Sequence, residues 1–346
     1  MDLVRTLLEW IDIPSVTGSE GDYGDALARA CESIGLDVER QELAPGRFNI
    51  LARARAPRVV LCTHQDTVPP WFGPREDRDL VHGRGACDAK GPAVAMLAAA
   101  KALLDAGDDR FGVLFTVGEE TDSAGAVLAN ERLAEPWRPA RVIVGEPTGM
   151  RWVAAHKGAF KVRISATGVA GHSSQPTGPS AVHELVACAH RLLAQPWGRH
   201  PLLGEGTLNI GRIRGGVAAN VVADSAEADV LVRVVEPIAD VRARVERCLG
   251  PGMTIAETSK ACAPTEFDVP PGELRGEEPI VVAFGTDAPH LLRWGKPMLC
   301  GPGSIQDAHT DHERIEKRAL GLAAEQYARA VRWALAREET SCPTPG

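Results

Sequence analysis

Three residues in the first third of the chain have the types and spacing of metal ligands. His64 and Asp66, two residues apart, follow directly on the apolar run 59–62, which is typical of a fully buried strand. Asp88 comes after a charged loop rich in proline and glycine, at the foot of an alanine-rich segment. An imidazole and two carboxylates in these positions suit a divalent metal ion. The plainer alternative, that His64 caps the strand and Asp88 caps the helix, is equally open at this point.

Further acids and a second histidine follow other predicted strand ends. In open α/β sheets, ligands bind outside the carboxyl ends of the strands, so side chains distant in sequence are expected to meet at one edge. Taken singly, each acid has a simpler explanation as a solvated turn or a cap. Buried together, however, several carboxylates would repel one another without a cation, and nitrogen and oxygen ligands of this kind suit Zn²⁺ and also Co²⁺ or Mn²⁺. The residues are Glu119 and Glu120 after 111–117, Glu146 after 141–144, and His309 beyond Gly303.

The composition restricts the class of protein. A net charge of −8 over 346 residues argues against a general nucleic-acid binder, which would be basic. No apolar run is long enough to cross a bilayer, and the first residues lack the features of a signal peptide. The eight cysteines are scattered without a C-x-x-C pair, as in proteins of a reducing cytosol. We therefore expect a cytoplasmic protein without nucleic-acid or membrane partners.

Hydrophobic periodicity predicts two domains. In residues 1–157 and again in 266–346, strands alternate with helices, which implies an α/β fold with a mostly parallel sheet and helices on both faces. Within 158–265 the order β-α-β-β-α-β matches the ferredoxin-like split βαβ unit, so this part is predicted to be an inserted α+β lid domain. The tail 341–346 is expected to be frayed. The predicted helices are 2–11, 20–34, 92–105, 123–133, 179–193, 238–249 and 318–337; the predicted strands are 49–54, 58–63, 111–117, 141–144, 160–166, 207–213, 226–235, 253–260, 281–284 and 298–299.

Six short motifs, in this order along nearly the whole chain, resemble those of the M20 metallopeptidase and deacylase family. That family includes acetylornithine deacetylase, acetyl-lysine deacetylase, succinyl-diaminopimelate desuccinylase and carboxypeptidase G-like enzymes. The resemblance implies a zinc-peptidase-like fold whose lid lies where periodicity predicts the insertion. The motifs are His64-Gln65-Asp66, Gly85-Ala86-Cys87-Asp88-Ala89-Lys90-Gly91, Glu119-Glu120, Gly145-Glu146-Pro147-Thr148, Gly171-His172 and Ala308-His309-Thr310.

The resemblance also implies a role for each ligand candidate. Asp88 would bridge two divalent cations, with Zn²⁺ favoured over Co²⁺ or Mn²⁺. His64 and Glu146 would complete one site, and Glu120 and His309 the other.

Three further residues would serve catalysis. Asp66 would hold the other ring nitrogen of His64 and so fix its tautomer. Glu119 would take a proton from the metal-activated water and later give it to the leaving amine. His172 would reach the oxyanion from the second subunit of a homodimer formed through the lid domains.

The substrate-binding candidates are four residues. Asn220 matches a lid position that helps to hold the substrate in this family. Arg233 lies where related enzymes place an arginine for the substrate carboxylate, a task that suits a planar bidentate donor, although an exposed strand arginine explains it equally well. Gly303 and Ser304 offer main-chain N–H groups near His309.

These features favour a metal-dependent amidohydrolase that removes an acyl group from a small N-acyl amino acid, as acetylornithine and acetyl-lysine deacetylases do. The alternatives are an M20 dipeptidase or carboxypeptidase, or a succinyl-diaminopimelate desuccinylase. Glu146 favours the deacylase and carboxypeptidase side, because aminopeptidase-type relatives more often carry aspartate there. A metal-binding protein without catalysis is disfavoured, because it would have no use for Glu119, a carboxylate that is not itself a ligand.

Overall fold

The computed structural model describes residues 1–175 and 178–341, without the side chains of 338–341. Of the tail expected to be frayed, residues 342–346 lie outside the described part, and Cys342 with them. The chain forms two compact units. The first comprises Met1–Ala154, Glu266–Ile280 and the chain from Thr286 onward, and the second comprises Ala155–Thr265 and Val281–Gly285.

Helices and strands alternate through most of the described chain. The helices are α1 (Leu3–Ile11), α2 (Gly21–Ser33), α3 (Lys90–Asp105), α4 (Ala124–Glu131), α5 (Ala181–Leu193), α6 (Ile238–Arg247), α7 (Gly272–Arg275) and α8 (Lys317–Ser341). The strands are β1 (Asp37–Ala44), β2 (Arg47–Arg53), β3 (Val59–His64), β4 (Arg75–Glu76), β5 (Leu80–His82), β6 (Phe111–Thr116), β7 (Arg141–Val144), β8 (Val153–His156), β9 (Gly158–Thr167), β10 (Gly171–His172), β11 (Arg199–His200), β12 (Gly204–Glu205), β13 (Thr207–Gly215), β14 (Val221–Val222), β15 (Ser225–Val234), β16 (Met253–Glu257), β17 (Thr265–Glu266), β18 (Ile280–Val282), β19 (Lys296–Leu299) and β20 (Arg314–Glu316).

A six-stranded sheet in the order β1-β2-β6-β3-β7-β19 forms the centre of the first unit. The strands β6, β3, β7 and β19 run parallel, whereas β1 and β2 are antiparallel at one edge. Every residue of β3, β6 and β7 is buried, as expected for parallel strands covered on both faces. The predicted α/β class is therefore confirmed, with a mixed sheet whose central part is parallel.

Helices cover the two faces of this sheet. One face packs on α2, α3 and α8, with α1 against α3 and α8, and alternate strand residues such as Val59 and Leu61 belong to that core. Helix α4 lies against β1, β2 and β6, and its buried residues Ala126 and Ala129 are not part of that core. The carboxyl ends of the parallel strands are therefore left free to present side chains.

The second unit is built on four antiparallel strands in the order β13-β15-β9-β16. Along the chain the main elements follow as β9, α5, β13, β15, α6 and β16, which is the split βαβ order. Buried and half-buried residues alternate along β9 and β15, and the buried set packs with α5 and α6 in one core.

Among the differences between the sequence predictions and the structure are strand β1 and residues 281–284. Strand β1 has no predicted counterpart, because its charged and mostly exposed residues lack an apolar alternation and only main-chain pairing with β2 makes it a strand. Residues 281–284 were predicted to belong to the α/β domain, but Val281–Gly285 belongs to the second unit. There the Lys157 N–H donates to the carbonyl of Val282 at 3.1 Å. Among the described helices, none is both long and apolar enough to cross a membrane.

Candidate metal centre

The carboxyl ends of three neighbouring parallel strands carry most of the predicted ligands. His64 is the last residue of β3 and pairs with Thr116, the last residue of β6. Glu119 and Glu120 follow β6 after a short turn, and Glu146 follows β7. Because β3 lies between β6 and β7, these side chains converge at one edge of the sheet.

Asp88 lies between the two predicted histidine ligands. Its Oδ1 is 2.9 Å from Nε2 of His64, and its Oδ2 is 3.2 Å from Nε2 of His309. Glu120 lies beside His309, with its Oε2 at 2.9 Å from the same Nε2. Glu146 Oε2 is 3.9 Å from Nε2 of His64. The five predicted ligands therefore meet in one cluster, with Asp88 turning a different oxygen toward each histidine.

The cluster is largely withdrawn from solvent and rich in carboxylates. The side chains of His64, Asp88, Glu120 and Glu146 are buried, and that of His309 is half exposed. Hydrogen bonds to Asp88 and Glu120 raise the pKa of His309 to about 10. Burial and the charge of Asp88 raise the pKa of Glu120 to about 7. The raised pKa of Glu120 shows that its negative charge is poorly compensated in the cluster, and a bound cation would relieve this.

The hydrogen bonds of His64 determine which nitrogen faces the cluster. Its Nδ1 donates to the main-chain carbonyl of Asp66 at 2.8 Å. A carbonyl can only accept a hydrogen bond, so Nδ1 carries a proton, and Nε2 is the nitrogen available to a metal ion.

The Asp66 carboxylate lies near the imidazole of His64 and also has partners that the sequence did not predict. Its Oδ1 is 3.6 Å from Nδ1 of His64, so the main-chain carbonyl is the closer partner of the imidazole. The carboxylate accepts the N–H groups of Glu119 and Glu120 at 3.1 and 3.2 Å, and the Thr17 hydroxyl at 2.8 Å. Asp66 therefore contacts the imidazole of His64 through its carbonyl and its carboxylate, and the carboxylate also holds the turn that presents the two glutamates.

Glu119 lies in the field of the other acids. Burial raises its pKa well above the ordinary value, and the charges of Glu146, Asp287 and Glu120 add to the effect, against the lowering influence of His64. A carboxylate with a raised pKa beside such a cluster is suited to accept and return a proton.

Sequence reasoning missed two acids near the cluster. Asp287 is buried and accepts the Thr116 hydroxyl at 2.6 Å through Oδ2, while Oδ1 has no hydrogen-bond partner among the described residues. Burial raises its pKa to about 6. Glu313 is also buried and contacts the loop that ends in Asp88. Neither follows a strand of the central sheet, so the strand-end pattern offered no signal for them.

Gly303 and Ser304 lie in a loop that packs on the ligand-bearing loops. The carbonyl of Gly303 accepts the Gly149 N–H at 2.7 Å, three residues after Glu146. The φ angle of Gly303 is +89°, and a Cβ there would lie 2.4 Å from Cβ of Cys87, so both conformation and space require glycine. Gly303 and Ser304 also line a cavity of about 610 Å³ in the first unit. These contacts place the loop beside the cluster but identify no substrate group.

The remaining predicted residues belong to the second unit. His172 and Asn220 come together there, because His172 pairs with Val221 and the Asn220 carbonyl accepts the Ser173 N–H. Nδ1 of exposed His172 accepts the Ser174 N–H at 3.2 Å. The neutral imidazole therefore carries its proton on Nε2, as a hydrogen-bond donor.

Arg233 lies on β15 on the half-buried face of the sheet, opposite the core residues Val232 and Val234. Cross-strand, it pairs with Ala159 and Thr207. Burial lowers its pKa.

His309 and His312, three residues apart in the first unit, have different surroundings. His309 is in the cluster, whereas His312 is exposed and pairs with Asp311 at 2.7 Å.

Comparison with known proteins identifies the family. A family model described as peptidase family M20/M25/M40 matches residues 60–333. A peptidase M20 domain-containing protein of Schizosaccharomyces pombe is 35% identical over 94% of this chain and 83% of its own length. A probable carboxypeptidase of Aspergillus flavus is 36% identical over 93% and 87%, respectively. The crystal structure of a tripeptidase from Staphylococcus aureus has the same fold, with a TM-score of 0.81 at 20% identity over 97% of this chain and 98% of that chain. The chain therefore belongs to peptidase family M20/M25/M40 and is a metal-dependent hydrolase of peptide or related amide bonds.

Proposed function

We propose that the cluster holds two divalent cations and that the chain uses them as a carboxypeptidase or dipeptidase. The observation that carries the proposal is the position of Asp88, whose two oxygens face different histidines. The donor set fits, because imidazole nitrogens and carboxylate oxygens are the usual ligands of Zn²⁺, with Co²⁺ and Mn²⁺ as alternatives. Asp88 would bridge the two cations. His64 and Glu146 would hold one of them, and Glu120 and His309 would hold the other.

The chain's own residues would carry the proton transfers and orient the ligands. Two cations at this site would lower the pKa of a water molecule and polarise the scissile carbonyl. Glu119 would accept the proton of the attacking water and then protonate the leaving amine. Asp66 would keep Glu119 in place through the N–H groups of the turn. His172, with its proton on Nε2, would donate to the oxyanion.

The identity of the acyl half of the substrate separates two candidate functions. The A. flavus relative is named a probable carboxypeptidase, which favours a peptide. Deacylation of an N-acyl amino acid is the second candidate, because the stretch from Gly301 to His309 resembles that of acetylornithine and acetyl-lysine deacetylases. Both reactions cleave the amide at the nitrogen of a terminal amino acid, whose free carboxylate Arg233 and Asn220 would bind.

Substrates that share one leaving amino acid test this choice. We expect Ala-Lys and a tripeptide ending in lysine to be hydrolysed with a kcat/KM at least about tenfold above that of N-acetyl-lysine, a difference of about 1.4 kcal/mol in transition-state binding. The corresponding C-terminal amides serve as controls and are expected to react poorly. A preference for N-acetyl-lysine, N-acetylornithine or N-succinyl-diaminopimelate would instead support the deacylase function.

Metal content tests the two-cation site. Elemental analysis of Zn²⁺-loaded protein is expected to find two tightly bound cations per chain, and His309→Ala is expected to lose one of them. His312→Ala is the matched control, because His312 is exposed and outside the cluster, and this variant is expected to keep both. Only trace metal in the wild-type protein, or equal loss in the two variants, would contradict the assignment.

We also propose that the chain works as a homodimer paired through the second unit. Strands β13 and β16 are the edges of its sheet, and exposed edge strands invite pairing with another copy. Ile213 on β13, with Val186 and Leu193 on α5, adds exposed apolar side chains to this unit.

A cytoplasmic location stays a prediction from the cysteine pattern.

A further inference from the structure

Glu313 is a buried carboxylate with an unusually complete set of partners. It directly precedes β20 and is fully buried. Its Oε2 accepts a hydrogen bond from Nη1 of Arg84 at 2.7 Å. Arg84 is itself only 2% exposed, donates through Nε to the carbonyl of Pro70 at 3.2 Å, and places its guanidinium over the ring of Phe72. A buried charge is tolerated only when it is paired and hydrogen-bonded, and this one is.

The other oxygen of Glu313 binds the loop that presents the bridging candidate. Oε1 accepts three main-chain N–H groups, from Gly85 at 3.1 Å, Cys87 at 3.2 Å and Asp88 at 3.1 Å. The third of these is the N–H of the residue whose carboxylate lies between the two histidines. Hydrogen bonds to an ionised acceptor are about twice as strong as neutral ones. The carboxylate therefore restrains the main chain at Asp88 directly.

The position of Glu313 in the chain links it to the second histidine as well. It lies four residues after His309, whose Nε2 faces Asp88 and Glu120. Glu313 is thus connected to the His309 loop through the main chain and to the Asp88 loop through the hydrogen bonds of its carboxylate. Any shift of Glu313 would change the separation of these two side chains.

We propose that Glu313, supported by Arg84, is a positioning residue of the metal centre that sets the distance between Asp88 and His309. This inference rests on the proposed two-cation site. A purely structural ion pair would stabilise the fold without affecting metal affinity, whereas a positioning residue must affect both. Partners that orient metal ligands typically change metal affinity or activity by about 10–100-fold when they are altered.

Glu313→Gln tests the proposal with almost no change of shape. The amide has only one oxygen, so it cannot accept both from Arg84 and from the three N–H groups. We expect Zn²⁺ affinity, measured on the full chain by competition with a chromophoric chelator, to fall by about 10–100-fold for at least one cation. The visible spectrum of the Co²⁺-loaded variant is expected to differ from that of the wild type. Excess Zn²⁺ is expected to restore much of the kcat.

Asp268→Asn is the matched control. Asp268 pairs with buried Arg141 at 2.8 Å, and Arg141 begins β7 at the end of the sheet away from the cluster. This variant is expected to lower the melting temperature but to leave Zn²⁺ affinity unchanged. If Glu313→Gln does not fold, Glu313→Asp keeps the charge but is too short to reach both sets of partners, and the same loss of affinity is expected.

Two results would overturn the inference. One is wild-type Zn²⁺ affinity for both cations in Glu313→Gln or, where that variant does not fold, in Glu313→Asp. The other is an equal loss of affinity in Asp268→Asn, which would show a general effect of lost stability. A wild-type chain that binds no pair of cations would instead overturn the proposed function, so the two failures are distinguishable.

Discussion

Replacing Glu119 by glutamine is expected to lower kcat by about 10²–10⁴-fold and to leave both cations bound. This range is the usual contribution of general acid–base catalysis. The amide has nearly the size of the carboxylate but cannot accept a proton. The main-chain N–H of residue 119 would still donate to Asp66, so the turn and the neighbouring ligand Glu120 are expected to stay in place.

The measurement pairs steady-state kinetics with elemental analysis of the same preparation. Glu131→Gln is the matched control, because Glu131 is exposed at the end of α4, the helix that follows the same turn. It is expected to keep wild-type kcat. Near-normal turnover in Glu119→Gln would mean that another group is the base, and a loss of metal would mean that Glu119 is a ligand.

Replacing His172 by alanine is expected to lower kcat by about 10²–10³-fold without loss of metal or fold, as when an oxyanion donor is removed elsewhere. The reason is the tautomer of His172: Nδ1 accepts the Ser174 N–H, so Nε2 is the donor. His183→Ala is a suitable control, because His183 lies in the first turn of α5 in the same unit.

Mixing two inactive variants tests whether His172 acts across a dimer. When Glu119→Gln and His172→Ala chains are refolded together, half of the dimers are mixed on a simple count. Each mixed dimer would contain one site with both Glu119 and His172 intact, so about a quarter of wild-type activity is expected. If mixed dimers form and stay inactive, His172 does not complete the site of the other chain. If mixing yields only monomers, the proposed dimer is itself wrong.

The amino-acid sequence by itself determined the α/β class, the family and the candidate ligands. This was possible because these features are encoded locally. A buried apolar run such as 59–62 can be recognised as a strand, and the residue after it must lie at the strand's carboxyl end. For parallel neighbours, that is enough to predict that His64, Glu120 and Glu146 approach one another.

The tertiary structure alone decided how those ligands are held. The Asp66 carboxylate, 3.6 Å from the imidazole of His64, also binds the turn at Glu119 and Glu120, because long-range packing brings that turn to it. Glu313 holds the Asp88 loop through main-chain N–H groups, which every residue except proline has, so the residue types of that loop gave no sign of this contact. Strand β1 forms for a similar reason, since its pairing with β2 uses main-chain groups. The sequence pattern predicts where side chains leave regular elements, whereas contacts made by the main chain depend on how distant loops pack together.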